Sequence, residues 1–199
     1  MAKQPRSEET RTRLLDAALA LYAREGDAGF SVHAIVRESG VSLGSLYHQF
    51  GSMDGLSAAL YARSMSALLD DVLAALDDVR SPRRGVAAVV RAYLAFTARE
   101  PSRARFIHAS AGASFLAAHA DLLAAEKAPR MQTLAAFFHR HMEAGAIATL
   151  PDYLFEMLLI GPVAELTRRA LLGDASIDLT EAARILPDRI WAALRRDDA

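Results

Sequence analysis

Residues 30–50 read FSVHAIVRESGVSLGSLYHQF, and this stretch decides how the rest of the chain is interpreted. Two short amphipathic segments flank a tight turn at Gly40, where a glycine can adopt the left-handed conformation that commonly ends a helix. Ser31 and Ser42 stand directly before the two segments, and serine is a preferred residue at a helix N-terminus. The stretch therefore predicts two short helices joined by a tight turn, which is the layout of a helix-turn-helix.

The second helix of this pair is predicted to present a polar and aromatic face, because the apolar residues of the stretch can pack inward. A glycine on that face permits close approach of another backbone, and hydroxyl groups or free amides at a helix start can donate to phosphate oxygens. A leucine can touch a thymine methyl group. The inward residues are Val32, Ile35, Val36, Val41, Leu46 and Phe50, and the outward residues are Leu43, Gly44, Ser45, Tyr47 and His48.

Residues 10–60 resemble the N-terminal signature of the TetR (tetracycline-repressor) family of transcription regulators. That signature has a threonine or serine, Ile-Ala, then Ala-Gly-Val-Ser-x-Gly-Thr-Leu-Tyr-x-x-Phe, followed by Ser-Lys and a leucine. Beyond residue 60 the resemblance rests on the number and length of the helices. The matching positions are Ser31, Ile35-Val36, Ser39-Gly40-Val41-Ser42, Gly44-Ser45-Leu46-Tyr47, Phe50, Ser52 and Leu56.

The resemblance implies a ligand-responsive regulator that binds a double-stranded DNA operator as a homodimer and responds to a small-molecule effector. Because most family members repress, we expect a repressor that an effector releases from a pseudo-palindromic operator, with an activator of the same fold as the alternative. Resemblance and side-chain chemistry together predict these DNA contacts: Arg11, Ser31, Ser42, Leu43, Gly44, Ser45, Tyr47 and His48.

One departure from the family signature matters for DNA binding. The lysine that the family usually carries at the start of its fourth helix, where it reaches a phosphate, is replaced here by Met53. One charge-assisted phosphate contact is therefore absent, and Arg11 or Arg13 is expected to compensate. Each neutralised phosphate adds about one unit to the salt dependence of DNA binding, so we expect a shallower dependence than in a lysine-bearing relative.

Composition excludes several classes of protein. The chain has 199 residues, a formal net charge of −1 and no cysteine, which excludes disulfides, thiol catalysis and zinc–thiolate sites. No apolar run approaches the roughly 20 residues that span a bilayer, and the N-terminus lacks the apolar stretch of a secretory leader. We therefore expect a cytoplasmic protein without membrane contact, whose attraction to DNA is local rather than global.

Helical periodicity and an abundance of alanine and leucine predict an all-α fold of about nine helices. We expect a DNA-binding domain over residues 1–52 and a ligand-binding and dimerisation domain over 53–199, linked by the fourth helix. Ser7 and Ser81 are the predicted N-caps of the first and fifth helices, and the ninth helix is predicted to begin at Thr180. Pro129 either kinks or divides the seventh helix, and Gly161-Pro162 should bend the eighth. The predicted helices cover about 7–25, 32–39, 43–49, 53–79, 82–99, 102–110, 118–144, 152–172 and 180–197, with mobile segments at 111–117 and 173–179.

The C-terminal region holds more aromatic and methionine residues than a simple dimer contact requires. They could line an apolar cavity between helices, with two histidines as its polar groups. The alternative is that most of them are ordinary core residues. The candidates are Tyr93, Phe96, Phe106, His108, Phe115, Met131, Phe137, Phe138, His141, Met142 and Met157.

The last two predicted helices are candidates for the dimer interface. A helix that is apolar around most of its circumference must be covered on both sides, and two such helices from each subunit can form an isologous four-helix bundle. The alternative is that the eighth helix is merely core. The predicted interface residues are Leu154, Phe155, Leu158, Leu159, Val163, Leu166, Ile190, Trp191 and Leu194.

Catalytic and metal-binding patterns find little support in the sequence. There is no Gly-x-Ser-x-Gly elbow and no phosphate-binding glycine-rich loop, and the spacing of Ser110, His108 and Asp121 does not favour a triad. His139 and His141 are two residues apart and so point to different sides of a helix. We expect no enzyme, metal or cofactor; a helical enzyme or a structural adaptor remains the alternative to a regulator.

Overall fold

The structure, a computed structural model, describes residues 3–196, and side chains from Arg6 onward. The fold is all-α, as predicted. Within the described residues the only strand-like pairing is an isolated antiparallel bridge between Ile147 and Arg195. No helix there is both long and apolar enough to cross a membrane. The helices are α1 (Lys3–Glu25), α2 (Val32–Ser39), α3 (Leu43–Phe50), α4 (Met53–Ala74), α5 (Pro82–Arg99), α6 (Pro101–Ala109), α7 (Ser114–Ala118), α8 (Ala120–Glu143), α9 (Asp152–Leu171) and α10 (Leu179–Leu194).

The described residues form ten helices, close to the roughly nine predicted; the additional helix is α7, which lies partly in the segment predicted as mobile. This helix has only five residues, too few to show a helical period in the sequence. Its Phe115 packs against the apolar core of the N-terminal region. A single tertiary contact therefore accompanies a helix that local sequence did not predict.

The start of α1 differs from the prediction, and the start of α10 agrees with it closely. α1 begins at Lys3, so Ser7 lies inside the helix rather than before it. α10 is capped by Asp178, whose carboxylate accepts from the backbone amides of Thr180 at 2.7 Å and Glu181 at 3.2 Å. The start of α10 at Leu179 thus lies one residue before the predicted start at Thr180, and the carboxylate of the preceding aspartate caps it.

Two prolines bear on the predicted helices: Pro82 at the start of α5 and Pro129, which was predicted either to kink or to divide a helix. Ser81 precedes α5 and Pro82 is its first residue, as predicted, although the Ser81 hydroxyl makes no capping hydrogen bond. Pro129 lies inside α8, which continues across it as one helix.

α4 ends at Ala74 rather than near 79, and turns continue from there with the amide of Val79 donating to the Leu76 carbonyl at 3.0 Å.

The described chain forms two compact units, which differ from the two domains predicted on functional grounds. The first comprises the chain up to Met65 together with Phe106–Glu126, and the second comprises Ser66–Arg105 and the chain from Lys127 on. The division is one of packing, so the predicted functional boundary after residue 52 stays a prediction.

The core of the first unit joins α1, α2, α3 and the start of α4 through buried aliphatic residues. Three aromatic rings close one side of it: the ring centroid of Tyr22 lies 5.8 Å from that of Phe30 and 5.0 Å from that of Phe106, both edge-on. Such pairs contribute about 0.5–1.5 kcal/mol beyond the area that they bury. The fully buried aliphatic residues of this core are Leu14, Ala18, Ile35, Leu46, Leu56 and Leu60.

In the second unit, α5 packs against α9 and α10. Gly85 allows the close approach of α5 to α8, since a Cβ atom built at this position would lie 2.3 Å from Cε1 of Phe137. Ion pairs tie the end of α4 to its neighbours, Asp71 to Arg99 and Asp70 to Arg130. Pairs as exposed as these contribute at most about 1 kcal/mol each, so the apolar core holds the unit together.

Candidate nucleic-acid interface

The caps of α2 and α3 leave hydroxyl protons available to an outside acceptor. The Ser31 oxygen accepts from the backbone amide of Ala34 at 3.4 Å, and the Ser42 oxygen accepts from that of Ser45 at 3.2 Å. Because a cap uses an oxygen lone pair, the hydroxyl proton remains free to donate. The Ser42 and Ser45 hydroxyls lie 2.9 Å apart, so one donates to the other and the pair keeps one proton for an external acceptor.

The turn between α2 and α3 is held from two sides. Gly40 adopts φ 63° and ψ 19°, and its amide donates to the Val36 carbonyl at 3.1 Å. From α1, the Arg13 guanidinium donates to the Ser39 carbonyl at 2.7 Å. These bonds satisfy carbonyls that would otherwise be unpaired at the end of α2. They hold α3 in a defined orientation relative to α1 and α2.

The outer face of α3 has the composition that the sequence predicted. Leu46 is fully buried, whereas Leu43 and Tyr47, one helical turn apart, are 42% and 47% exposed. Gly44 and His48 are exposed on the same short helix. The exposed side chains of Leu43 and Tyr47 and the available serine hydroxyls lie on one side of α3. Together they form a surface suited to contact with DNA bases and phosphates.

Gly44 is the most informative residue of this face. Its φ is not positive, and a Cβ atom built there meets no heavy atom within 4 Å. At Gly55, in contrast, a Cβ would lie 2.0 Å from the Phe50 carbonyl oxygen, so the fold itself requires that glycine. Nothing within the described chain requires a glycine at position 44, which points to close approach by a molecule outside the chain.

The arginines expected to compensate for Met53 have other contacts. The Arg11 guanidinium lies 4.8 Å from the centroid of the Phe50 ring, and Arg13 caps α2. Met53 is half-buried and packs against the core of the first unit. Arg11 stays a predicted phosphate contact, since a guanidinium stacked on a ring keeps its outward N–H groups. Arg13 acts within the fold, as a residue that positions the turn.

Residues that the sequence analysis overlooked also border this surface. Gln49 donates from Nε2 to the Ser7 hydroxyl at 2.8 Å and to its carbonyl at 3.3 Å, which ties α3 to α1. His33 and Arg37, four residues apart on α2, are both exposed. The i, i+4 spacing of two basic residues opposite the buried face of α2 was the available signal.

The eleven residues predicted to line a ligand cavity do not gather at one site. Phe106, His108 and Phe115 belong to the first unit, where Phe106 and Phe115 pack on its core. The core alternative is therefore correct for these two. Met157 is 65% exposed on α9 rather than enclosed.

The remaining candidates belong to the second unit, and most are core residues. Tyr93, Phe96, Phe137 and Phe138 are all buried there, as the alternative interpretation expected. His141 is half-buried, and its Nε2 has no hydrogen-bond partner among the residues that the structure describes. Burial, and then the nearby charge of Arg140, lowers the pKa of His141 below the ordinary value. The other half-buried candidate is Met142.

A cavity of about 290 Å³ opens between α8 and α9 of the second unit. Phe138 and Phe155 lie at its apolar side, with ring centroids 5.1 Å apart. Of the eleven predicted residues, it is lined by Phe138 and Met131. Its polar residues are Gln132, His139, Asp152 and Glu156, none of which the sequence analysis assigned to a pocket.

Burial corrects the predicted dimer interface. Phe155, Leu159, Val163, Ile190 and Leu194 are buried within the single chain, so they are core residues and cannot form its exposed apolar face. The exposed apolar residues of α9 are instead Tyr153 at 68% and Met157 at 65%. The four remaining predicted residues are half-buried: Leu154, Leu158, Leu166 and Trp191.

Comparison with known proteins bears on this surface directly. A sequence model of the bacterial regulatory proteins of the tetR family matches residues 14–60, which contain α2, α3 and the second half of α1. BetI of Rhizobium meliloti (strain 1021), named as an HTH-type transcriptional regulator, is 35% identical over 81 residues, or 41% of this chain and 40% of BetI. The match thus spans about two fifths of that relative's length.

The match to a second relative covers a larger share of that relative's length. TtgW of Pseudomonas putida, named as an uncharacterized HTH-type transcriptional regulator, is 33% identical over 99 residues, covering 42% of this chain and 74% of TtgW. A TetR family transcription regulator of known structure from Marinobacter aquaeolei VT8 has the same fold, with a TM-score of 0.79 over 98% of this chain and 100% of that one, at 19% identity. The chain therefore belongs to the tetR family of bacterial regulatory proteins, whose members are transcriptional regulators rather than enzymes.

Proposed function

We propose that this protein is a ligand-responsive transcriptional regulator that binds a pseudo-palindromic DNA operator through α3. The observation that carries the proposal is Gly44, a glycine that nothing in the described fold requires, on the exposed face of a capped helix. Free hydroxyl protons and the amides at the start of α3 would donate to phosphates. Leu43, Tyr47 and His48 would meet base edges or sugars on the same face.

The proposed DNA contacts are the eight predicted residues, with the Arg11 guanidinium approaching a phosphate over the ring of Phe50. Arg24 is not one of them, because hydrogen bonds with Glu38 and then Glu25 raise its pKa and neutralise its charge locally. The start of α4, where the family usually carries a phosphate-binding lysine, has Met53 instead. Affinity would depend more on hydroxyl, amide and apolar contacts than on counterion release.

We further propose that the protein acts as a homodimer in the cytoplasm, with α9 in the interface. Tyr153, Met157 and Gly161 follow one another at four-residue intervals and are all exposed, so they share one face of α9. Gly161 has open space around its Cα, which would let a second helix approach closely. A two-fold dimer would present two copies of α3 roughly 34–36 Å apart, the spacing of successive major grooves.

Regulation would be a shift between two dimer geometries. An effector that binds better to the geometry with misplaced α3 helices would release the operator, and a coupling of about 1–3 kcal/mol changes DNA affinity by 5–150-fold. We propose repression as the outcome. Activation by the same fold is the second candidate, and the direction of change in transcript level on deletion of the coding sequence distinguishes the two.

The testing experiment is gel retardation of a promoter library from the host genome by the full chain. The expected result is retardation of a small set of fragments that share an inverted repeat and that excess non-specific DNA does not displace. Retardation of every fragment alike, or of none, would contradict a sequence-specific regulator and favour a helical adaptor.

A further inference from the structure

The cavity between α8 and α9 combines an apolar interior with a mouth of one charge sign. Its interior is formed by aromatic and aliphatic side chains, among them Phe155, Leu159 and Ile160. The charged residues that line it are Asp152 and Glu156, and no lysine or arginine is among its lining residues. A volume of about 290 Å³ is at the small end of the range for ligand pockets.

The two carboxylates are held differently, and neither is neutralised by a permanent cation. His139 lies with Nε2 3.0 Å from the Asp152 carboxylate, a contact that orients this carboxylate at the mouth. Glu156 makes no ion pair with any residue that the structure describes. Asp152 and Glu156 are four residues apart on α9, so both face the same mouth.

We propose that this cavity is the effector site of the protein and that it takes a small apolar cation, such as an alkyl or aryl ammonium ion. This inference rests on the proposed function and narrows it, because the effector class follows from the lining. The apolar part of such a ligand would leave water for the interior of the cavity. Its positive charge would remain at the mouth between two carboxylates, which would repel a carboxylate or phosphate ligand of the same shape.

The location of the cavity also provides a route from effector to assembly. Each cavity carboxylate is followed directly in the sequence by a residue of the exposed face proposed for the dimer: Asp152 by Tyr153, and Glu156 by Met157. A ligand that separates α8 from α9 would therefore shift the helix that pairs the subunits. The effect on DNA would arise from a changed spacing of the two α3 helices.

Calorimetric titration of the full chain with three probes of equal chain length tests the charge argument. We expect octyltrimethylammonium to bind at least about tenfold more tightly than 1-octanol, since its positive charge would lie beside two carboxylates. Octanoate should bind more weakly than either. Equal affinity for the three probes, or tighter binding of octanoate, would overturn the proposal.

Variants locate the binding. The double substitution Asp152→Asn and Glu156→Gln should lower the affinity for octyltrimethylammonium about tenfold and leave that for 1-octanol unchanged. Glu165→Gln is the matched control, because Glu165 is a carboxylate of the same helix outside the cavity, paired with Arg168. A loss of similar size in the control variant would show that binding follows net charge rather than this cavity.

Ala135→Phe, which fills the cavity from α8, should abolish binding of both the cation and the alcohol while promoter retardation persists. If this variant instead changed the association state and left cation binding intact, the groove would be a contact between two copies of the chain, and the proposal would be wrong. Retardation without any response to cations would contradict this inference alone. Absence of sequence-specific retardation would contradict the proposed function.

Discussion

Single residues of this protein divide between those that maintain the fold and those that the fold leaves available. Gly55 and Gly85 belong to the first group, since a Cβ atom at either would meet another atom at 2.0–2.3 Å. Gly44 belongs to the second, and so do the hydroxyl protons of the two serine caps. Residues that the fold leaves available concentrate on α3, which is where DNA contact is proposed.

Gly44→Leu should abolish operator binding without unfolding the protein. Leucine has a better helix propensity than glycine, and the space around position 44 is open, so the thermal midpoint should stay the same or rise. The longer side chain would hold the backbone of α3 away from DNA, and we expect a loss of affinity of at least about tenfold, or 1.4 kcal/mol. Gel retardation and thermal melting measure the two effects.

The matched control is Ala125→Leu, which adds the same side chain at an exposed alanine of α8. It should leave both operator affinity and the melting midpoint nearly unchanged. Normal DNA binding by the Gly44→Leu protein would contradict the assignment of α3 as the reading helix.

Met53→Lys should steepen the salt dependence of DNA binding. Met53 is half-buried against the core at the first position of α4, and a lysine there can keep its aliphatic stem on the core while its ammonium group reaches solvent. One more neutralised phosphate should add about 0.9 to the slope of log affinity against log salt. Retardation at several salt concentrations measures the slope, and an unchanged slope would show that position 53 lies away from the DNA backbone.

At the scale of elements, the two units depend on different kinds of contact. The first unit gathers α1, α2 and α3 around one aliphatic core and adds α6 and α7 through aromatic residues. In the second unit, α5 and α8 approach closely because Gly85 has no side chain. The stability of the second unit should therefore be more sensitive to added volume at this one position than to the loss of any surface ion pair.

Gly85→Ala should destabilise the protein even though alanine favours a helix. The new methyl group would overlap the Phe137 ring. This ring is edge-on to Phe138 at 4.9 Å and lies 4.6 Å from the Arg140 guanidinium, so displacing it would disturb both contacts. Overpacking costs typically about 1–3 kcal/mol, against a gain of about 1 kcal/mol from helix propensity. Denaturant unfolding should show a net loss.

Gly44→Ala is the matched control for this change, because it makes the same substitution in a helix with no neighbour within 4 Å of the new Cβ. It should leave the free energy of unfolding unchanged or slightly higher. If Gly85→Ala were equally harmless, Phe137 would have room to move, and the close approach of α5 and α8 would not be a source of stability.

At the scale of the whole molecule, function depends on a second copy of the chain. The two α3 helices of a dimer would contact two half-sites, and a monomer would contact only one, so loss of the dimer should lower operator affinity more than the loss of any single contact. The exposed side chains Tyr153 and Met157 identify where the partner would lie.

Met157→Lys should convert the dimer to a monomer and weaken operator binding by at least about tenfold, because a lysine in an apolar isologous interface occurs twice and is desolvated without a partner. Light scattering at micromolar concentration measures the mass. Leu122→Lys, at a position on α8 with 51% exposure, is the control and should keep the wild-type mass. A wild-type protein that is itself monomeric would contradict the dimer.

Residues 30–50 alone were sufficient to predict α2, α3 and their serine caps, because capping and turn formation are local and depend on neighbours within four residues. The same holds for the all-α class, which follows from periodicity. The family resemblance needed the wider match over residues 10–60. Local pattern also identified Leu43, Gly44 and Tyr47 as outward residues, and the structure has all three exposed on α3.

Only the tertiary structure decided which apolar residues of the C-terminal half are core, cavity or surface. Val163 and Met157 are both apolar residues of α9, yet Val163 is fully buried and Met157 is 65% exposed. The difference arises because the neighbours of α9 come from distant parts of the chain. Phe106 joins the N-terminal core and Asp152 lines a cavity with His139 for the same reason. Periodicity indicates that a helix has an apolar face. The identity of the helix that covers this face depends on contacts between residues far apart in the sequence.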